Sequence, residues 1–180
     1  MVRDMTHNEL VTGSDIFIIE LKLQGDGIPP VLYTIMHLRT EKDSFLHDEK
    51  NLLFYRDLSD TNRILEKHFI TLALPDSTIH KRIQYCNPSE AVRLILEVEE
   101  VDDALLLDTI NSLLDFVNTL PVAVPRKFRT ILHKFADHLT FETNCESFFE
   151  DTSYQRSDLL KAIQWCTEYV TNHMNVINLD

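Results

Sequence analysis

Beyond residue 27 this 180-residue chain contains no glycine: Gly13, Gly25 and Gly27 are its whole supply. Glycine is the residue that turns a backbone at positive φ or lets it press against a ligand. Residues 28–180 therefore cannot hold a P-loop, a dinucleotide-binding G-x-G-x-x-G or a G-x-S-x-G nucleophile elbow, and the three early glycines have the spacing of none of these. No cofactor is expected. Cysteine is scarce too. Cys86, Cys145 and Cys166 are far apart, odd in number and form no C-x-x-C pair, which reads as reduced thiols in a cytoplasmic protein. Cys166 falls on an apolar helical stripe and reads as a core residue. Cys86 and Cys145 lie in less regular surroundings, where either is open to modification. Long apolar runs are missing as well. The first ten residues, MVRDMTHNEL, have no signal-peptide stretch, no later run has the length of a membrane span, and no N-x-[ST] acceptor occurs.

Positive charge is the remaining shortage. The chain has 17 Lys and Arg against 29 Asp and Glu, a formal charge of −12. Binding a nucleic-acid backbone needs clustered bases, so no nucleic-acid partner is expected. The one dense basic cluster is Arg126, Lys127, Arg129 and Lys134. It reads as a contact for phosphate, nucleic acid or an acidic partner, or as a solvated face that pairs with the chain's own acids. Between Glu97 and Asp115 there is no Lys or Arg, while Glu97, Glu99, Glu100, Asp102, Asp103, Asp108 and Asp115 are acidic. That run makes self-complementation the favoured reading, within one chain or across a homodimer.

What is present is periodicity. After a polar lead-in over residues 1–14, DIFIIELKLQ alternates as a strand, with Ile16 and Ile18 making its first half apolar on both faces. GDGIPP breaks it, VLYTIMHLR resumes as a second strand, EKDSFLHDEKN reads as a loop, and LLFYRD is a short third strand. Ser59 or Asp60 caps a helix with Ile64, Leu65, His68 and Phe69 on one side. Residues 68–86 fit strand or helix. Asn87-Pro88-Ser89-Glu90 then starts a helix, with Asn as N-cap and Pro at the first position, although the β-branched content of AVRLILEVEE leaves a strand open. DDALLLDTINSLLDFVNTL is apolar round most of its circumference, with a narrow polar stripe of Asp108, Asn111, Ser112, Asp115 and Asn118, so it belongs in the core. VPRKFRTILHKFADHLTF carries a stripe of Phe128, Ile131, Leu132, Phe135 and Leu139. A polar break follows, and SDLLKAIQWCTEYVTNHM forms the last helix.

The expected architecture is α+β in one domain spanning 1–180. A small antiparallel sheet from residues 15–75 packs on a layer of about four helices over 88–175. Eight histidines invite a search for a metal site. His133 and Asp137 are four apart, as are His138 and Glu142, each pair having ligand spacing on a helix. Five residues turn His138 about 140° away from His133, so the pairs cannot share one ion, and no metal is expected. The same four residues are the candidates for a hydrolase with a dispersed site. Absent any catalytic motif, the composition points first to a non-enzymatic interaction or regulatory module of inhibitor, immunity or adaptor type. A small-molecule or signal-binding domain, with its pocket between sheet and helices, is the third reading.

Overall fold

In the computed structural model the described residues are 16–24, 27–38, 43–68, 74–97, 102–121, 123–142, 145–150 and 154–178. The expected lead-in over 1–14 lies outside them. The strands among them are β1 (Ile16–Leu21), β2 (Leu32–His37), β3 (Ser44–Phe45), β4 (Leu52–Phe54), β5 (Ile83–Cys86) and β6 (Met174–Val176). The helices are α1 (Thr61–His68), α2 (Asp76–Ile79), α3 (Pro88–Glu97), α4 (Asp103–Thr119), α5 (Arg126–Phe141), α6 (Cys145–Glu150) and α7 (Arg156–Asn172). This is the α+β class read from the sequence, a small sheet against helices.

The sheet itself differs from the expected one. Its order is β3-β2-β1-β5, with β1 antiparallel to β2 and parallel to β5, so it is mixed. The parallel partner comes from the stretch that fitted strand or helix, where α2 and a 3₁₀ turn over His80–Arg82 precede β5. The loop expected over residues 41–51 contributes β3, and β4 leaves the main sheet to pair in parallel with β6, which starts at Met174, the last residue of the expected final helix. The two sheets meet where Tyr33 and Tyr55 exchange both backbone hydrogen bonds, each 2.9 Å.

The double-faced apolar pattern of β1 decides the layering. Ile19 and Leu21 face α3–α7 in the large core, while Ile16 and Ile18 face a second cluster completed by Ile35, Tyr55, Ile64, Leu65 and Ile79. The sheet is thus covered on both sides, with α1 on the smaller face. Asn62 of α1 closes that side by exchanging two 2.8 Å hydrogen bonds with the backbone of Leu74.

Helix α4 lies at the centre of the large core, enclosed by β3, β5, α3, α5 and α7. Its polar stripe is narrower than the sequence suggested: Ser112 is buried, as is Thr109. Two threonines tie the helix to the sheet side. Thr109 Oγ1 accepts from the Asn87 N–H at 3.1 Å, and Thr119 Oγ1 accepts from the Phe45 N–H at 3.2 Å. Asp102 caps the helix, its carboxylate accepting from the Leu105 N–H at 3.0 Å. Asn87 likewise caps α3, accepting from the Glu90 N–H at 3.2 Å, as the Asn-Pro start predicted.

All three cysteines are free and buried, which corrects the expectation for Cys86 and Cys145. The misreading came from judging exposure by local irregularity, whereas Cys86 sits on the inner face of β5 and Cys145 opens α6 against the core. Burial pushes the Cys145 thiol up to about 11 and the Cys166 thiol up to about 12, and raises Cys86 as well. Native protein at pH 8 should therefore resist Ellman's reagent for hours and release three thiols on denaturation. Rapid modification of one thiol in the folded state would contradict this packing.

Candidate functional site

Helix α5 buries Ile131, Leu132, Phe135, Ala136 and Leu139. About 100° round the helix, the spacing 134, 137, 138, 141 puts Lys134, Asp137, His138 and Phe141 on a second, outer stripe. That stripe forms one wall of an open cleft of ≈ 460 Å³, completed by Glu142, Ser147, Phe148 and Tyr154. The floor is aromatic. Phe148 is buried, stacks on Tyr154 at 4.8 Å and meets Phe135 edge-on at 5.0 Å. Lys134 Nζ stands 5.4 Å from the centre of the Tyr154 ring. His138 packs on Phe148 and shares a 2.9 Å hydrogen bond between its Nε2 and Ser147 Oγ, either atom donating according to the tautomer.

At the lip of this cleft Phe141 is 85% exposed. The other exposed large apolar side chains among the described residues, Tyr85 and Leu96, do not line it. On the far side of Tyr154 a second open cleft is lined by Glu146, Phe149, Glu150 and Arg156. There Arg156 pairs with Glu146 and lies 4.8 Å over Phe149. Glu146 and Arg156 form an ion pair, whereas Asp137 and Glu142 make none among the described residues.

The sequence candidates are divided by this geometry. Asp137, His138 and Glu142 share the first cleft, while His133 is exposed and does not line it. Among the described residues no group of three or more His, Cys, Asp or Glu side chains is placed to hold a metal ion. The basic cluster is divided as well. Lys127 pairs with Asp158 of α7 at 2.9 Å, Arg129 donates to Asn118 of α4 at 3.2 Å, Lys134 enters the cleft, and Arg126 stays exposed at the start of α5. Lys127 thus finds its ion-pair partner on α7 rather than in the acidic run.

Phe141, Ser147, Phe148 and Tyr154 were not among the sequence candidates: Phe141 ends the amphipathic helix outside its apolar stripe, and the other three fall in the polar break that follows. One signal was available. Phe141 falls off the apolar phase set by Phe128, Ile131, Leu132, Phe135 and Leu139, so a large ring on α5 had to point away from the core. Chemically, the cleft offers aromatic surface, carboxylates without a counter-ion among the described residues, and one Ser–His pair. It is open to water, so a charge developing within it would be screened.

No family model matches the chain, and no curated protein matches it. Among solved structures its fold is similar to that described as the crystal structure of SatS C-terminal domain in complex with bromine, with a TM-score of 0.50 at 10% sequence identity over 91% of this chain and 94% of that one. That likeness is one of architecture, and on it the chain takes its place as an α+β domain of the same general layout.

Proposed function

We propose that this chain is a non-enzymatic protein-interaction module and that its contact surface is the outer face of α5 with the cleft beside it. The observation that carries the reading is Phe141, 85% exposed at the rim of an aromatic-floored cleft. A large ring held in water on a rigid helix, rimmed by polar groups, has the chemistry of an interface anchor. The charge of −12 disfavours nucleic acid as the partner. No helix among the described residues is long and apolar enough to cross a membrane. Three buried, unpaired thiols suit a reducing compartment, and cytoplasmic residence is part of the proposal. The space between sheet and helices is filled by Ile19, Leu21, Phe45 and Phe116, each with no exposed surface, which counts against a small-molecule pocket there.

The Ser147–His138 hydrogen bond is the feature that favours a second reading, a hydrolase, since a nucleophile and base must meet at this distance. The cleft's openness weighs against it, because oxyanion stabilisation depends on excluding water. The test is comparative. Tagged wild-type protein recovered from its source cells should retain a partner that Phe141→Ser loses and Ser147→Ala keeps. Retention by Phe141→Ser would overturn the proposal. Loss of an ester-cleaving activity on Ser147→Ala would establish the hydrolase instead.

A further inference from the structure

We infer that the surface seated on the outer face of α5 is the same face of a second copy of this chain, packed antiparallel. The inference rests on the interaction reading above and names the partner. It starts from how charge is laid along that face. At the N-terminal end stands Arg126, exposed; toward the C-terminal end stand Asp137 and Phe141, both exposed; Thr130 and His133 lie between, also exposed. The helix is positive at one end and negative at the other, in the same sense as its own macrodipole.

A face segregated in this way complements itself only head to tail. A two-fold axis passing between residues 133 and 134 brings Arg126 of one copy opposite Phe141 of the other. Asp137 of that other copy is then one turn away, about 6 Å along the axis and within reach of a guanidinium. Thr130 meets Asp137, and the contact repeats across the axis, as isologous interfaces require. Each Phe141 leaves water beneath an Arg126 side chain, a cation–π arrangement. Lys134, drawn 5.4 Å over its own Tyr154 ring, is turned from the axis, where two like charges would otherwise meet. A parallel pairing would set Arg126 against Arg126 and Asp137 against Asp137, at a cost on both counts. One helix face buries less than a standard interface of about 1,600 Å², so the dimer should be concentration-dependent rather than permanent.

Charge exchange tests this without disturbing the fold, because the substituted residues are exposed. Sedimentation equilibrium on the full chain should show a mass rising from 21.0 kDa toward twice that value. Arg126→Glu alone and Asp137→Arg alone should each weaken association at least tenfold, with circular dichroism unchanged. An equimolar mixture of the two variants should recover it, since each then meets an opposite charge at both contacts, and the double variant R126E/D137R should recover it as well. Higher salt should weaken all the associating species. A single-chain mass at every concentration, or a dimer indifferent to both changes, or no recovery on mixing, would overturn the inference. None of these outcomes touches the co-purification test, in which a different partner would still be lost with Phe141.

Discussion

Phe116→Ala is expected to remove about 3–5 kcal/mol of folding stability, as truncation of a fully buried aromatic does. Phe116 has no exposed surface, stacks on Phe45 of β3 at 4.1 Å and lies 5.7 Å from Phe54 of β4. One ring on α4 therefore fills the space beneath strands of both sheets, and those strands have few other attachments. β3 has two residues and β4 three. The cavity left behind would not be easily closed, because α4 is tied to the sheet side near its middle through Thr109 and at its C-terminal end through Thr119. Urea melts followed by circular dichroism give the number. A loss below about 1 kcal/mol, the centre of the range for ordinary substitutions, would mean that α4 does not organise the core.

Phe148→Ala should be nearly as costly, about 3 kcal/mol. Phe148 is 5% exposed and touches the rings of Phe135, His138, Phe149 and Tyr154 at 5.0, 5.4, 5.3 and 4.8 Å. It belongs to the core and to the cleft at once, so its loss should lower stability and remove the cleft floor together. Phe141→Ala, seven residues away on the neighbouring helix, should change stability by no more than about 0.5 kcal/mol, since its ring gives up little packing. Equal losses from the two substitutions would place Phe141 in the fold rather than on a contact surface.

The contrast between these two rings also marks what the sequence could and could not disclose. Helix α3 was legible by its Asn87-Pro88 start, α4 by an apolar circumference that marks a buried helix, and α5 and α7 by apolar stripes of period near 3.6. Strands β1 and β2 were legible by alternation and by the GDGIPP break. The parallel pairings were not. β5 buries only Cys86 of its four residues and β6 none of its three, so neither carries an apolar pattern of its own. They are strands because β1 and β4 offer them backbone partners, which is tertiary information. Ser112 was assigned to a solvated stripe because its type is polar, and the surrounding elements override that. The cleft failed to appear for the same reason. Asp137, His138 and Glu142 could be named from helix spacing, but Ser147, Phe148 and Tyr154 reach them across a turn that no periodicity describes. His133, chosen by the same i,i+4 rule, is exposed on α5 but does not line the cleft.

The claim that the outer face of α5 is a contact surface is tested most directly by Phe141→Ser, with folding and association measured on the same sample. The account predicts urea and thermal transitions indistinguishable from wild type, together with loss of every complex, homotypic or heterotypic, that the wild-type chain forms at matched concentration. Unchanged association at unchanged stability would contradict it.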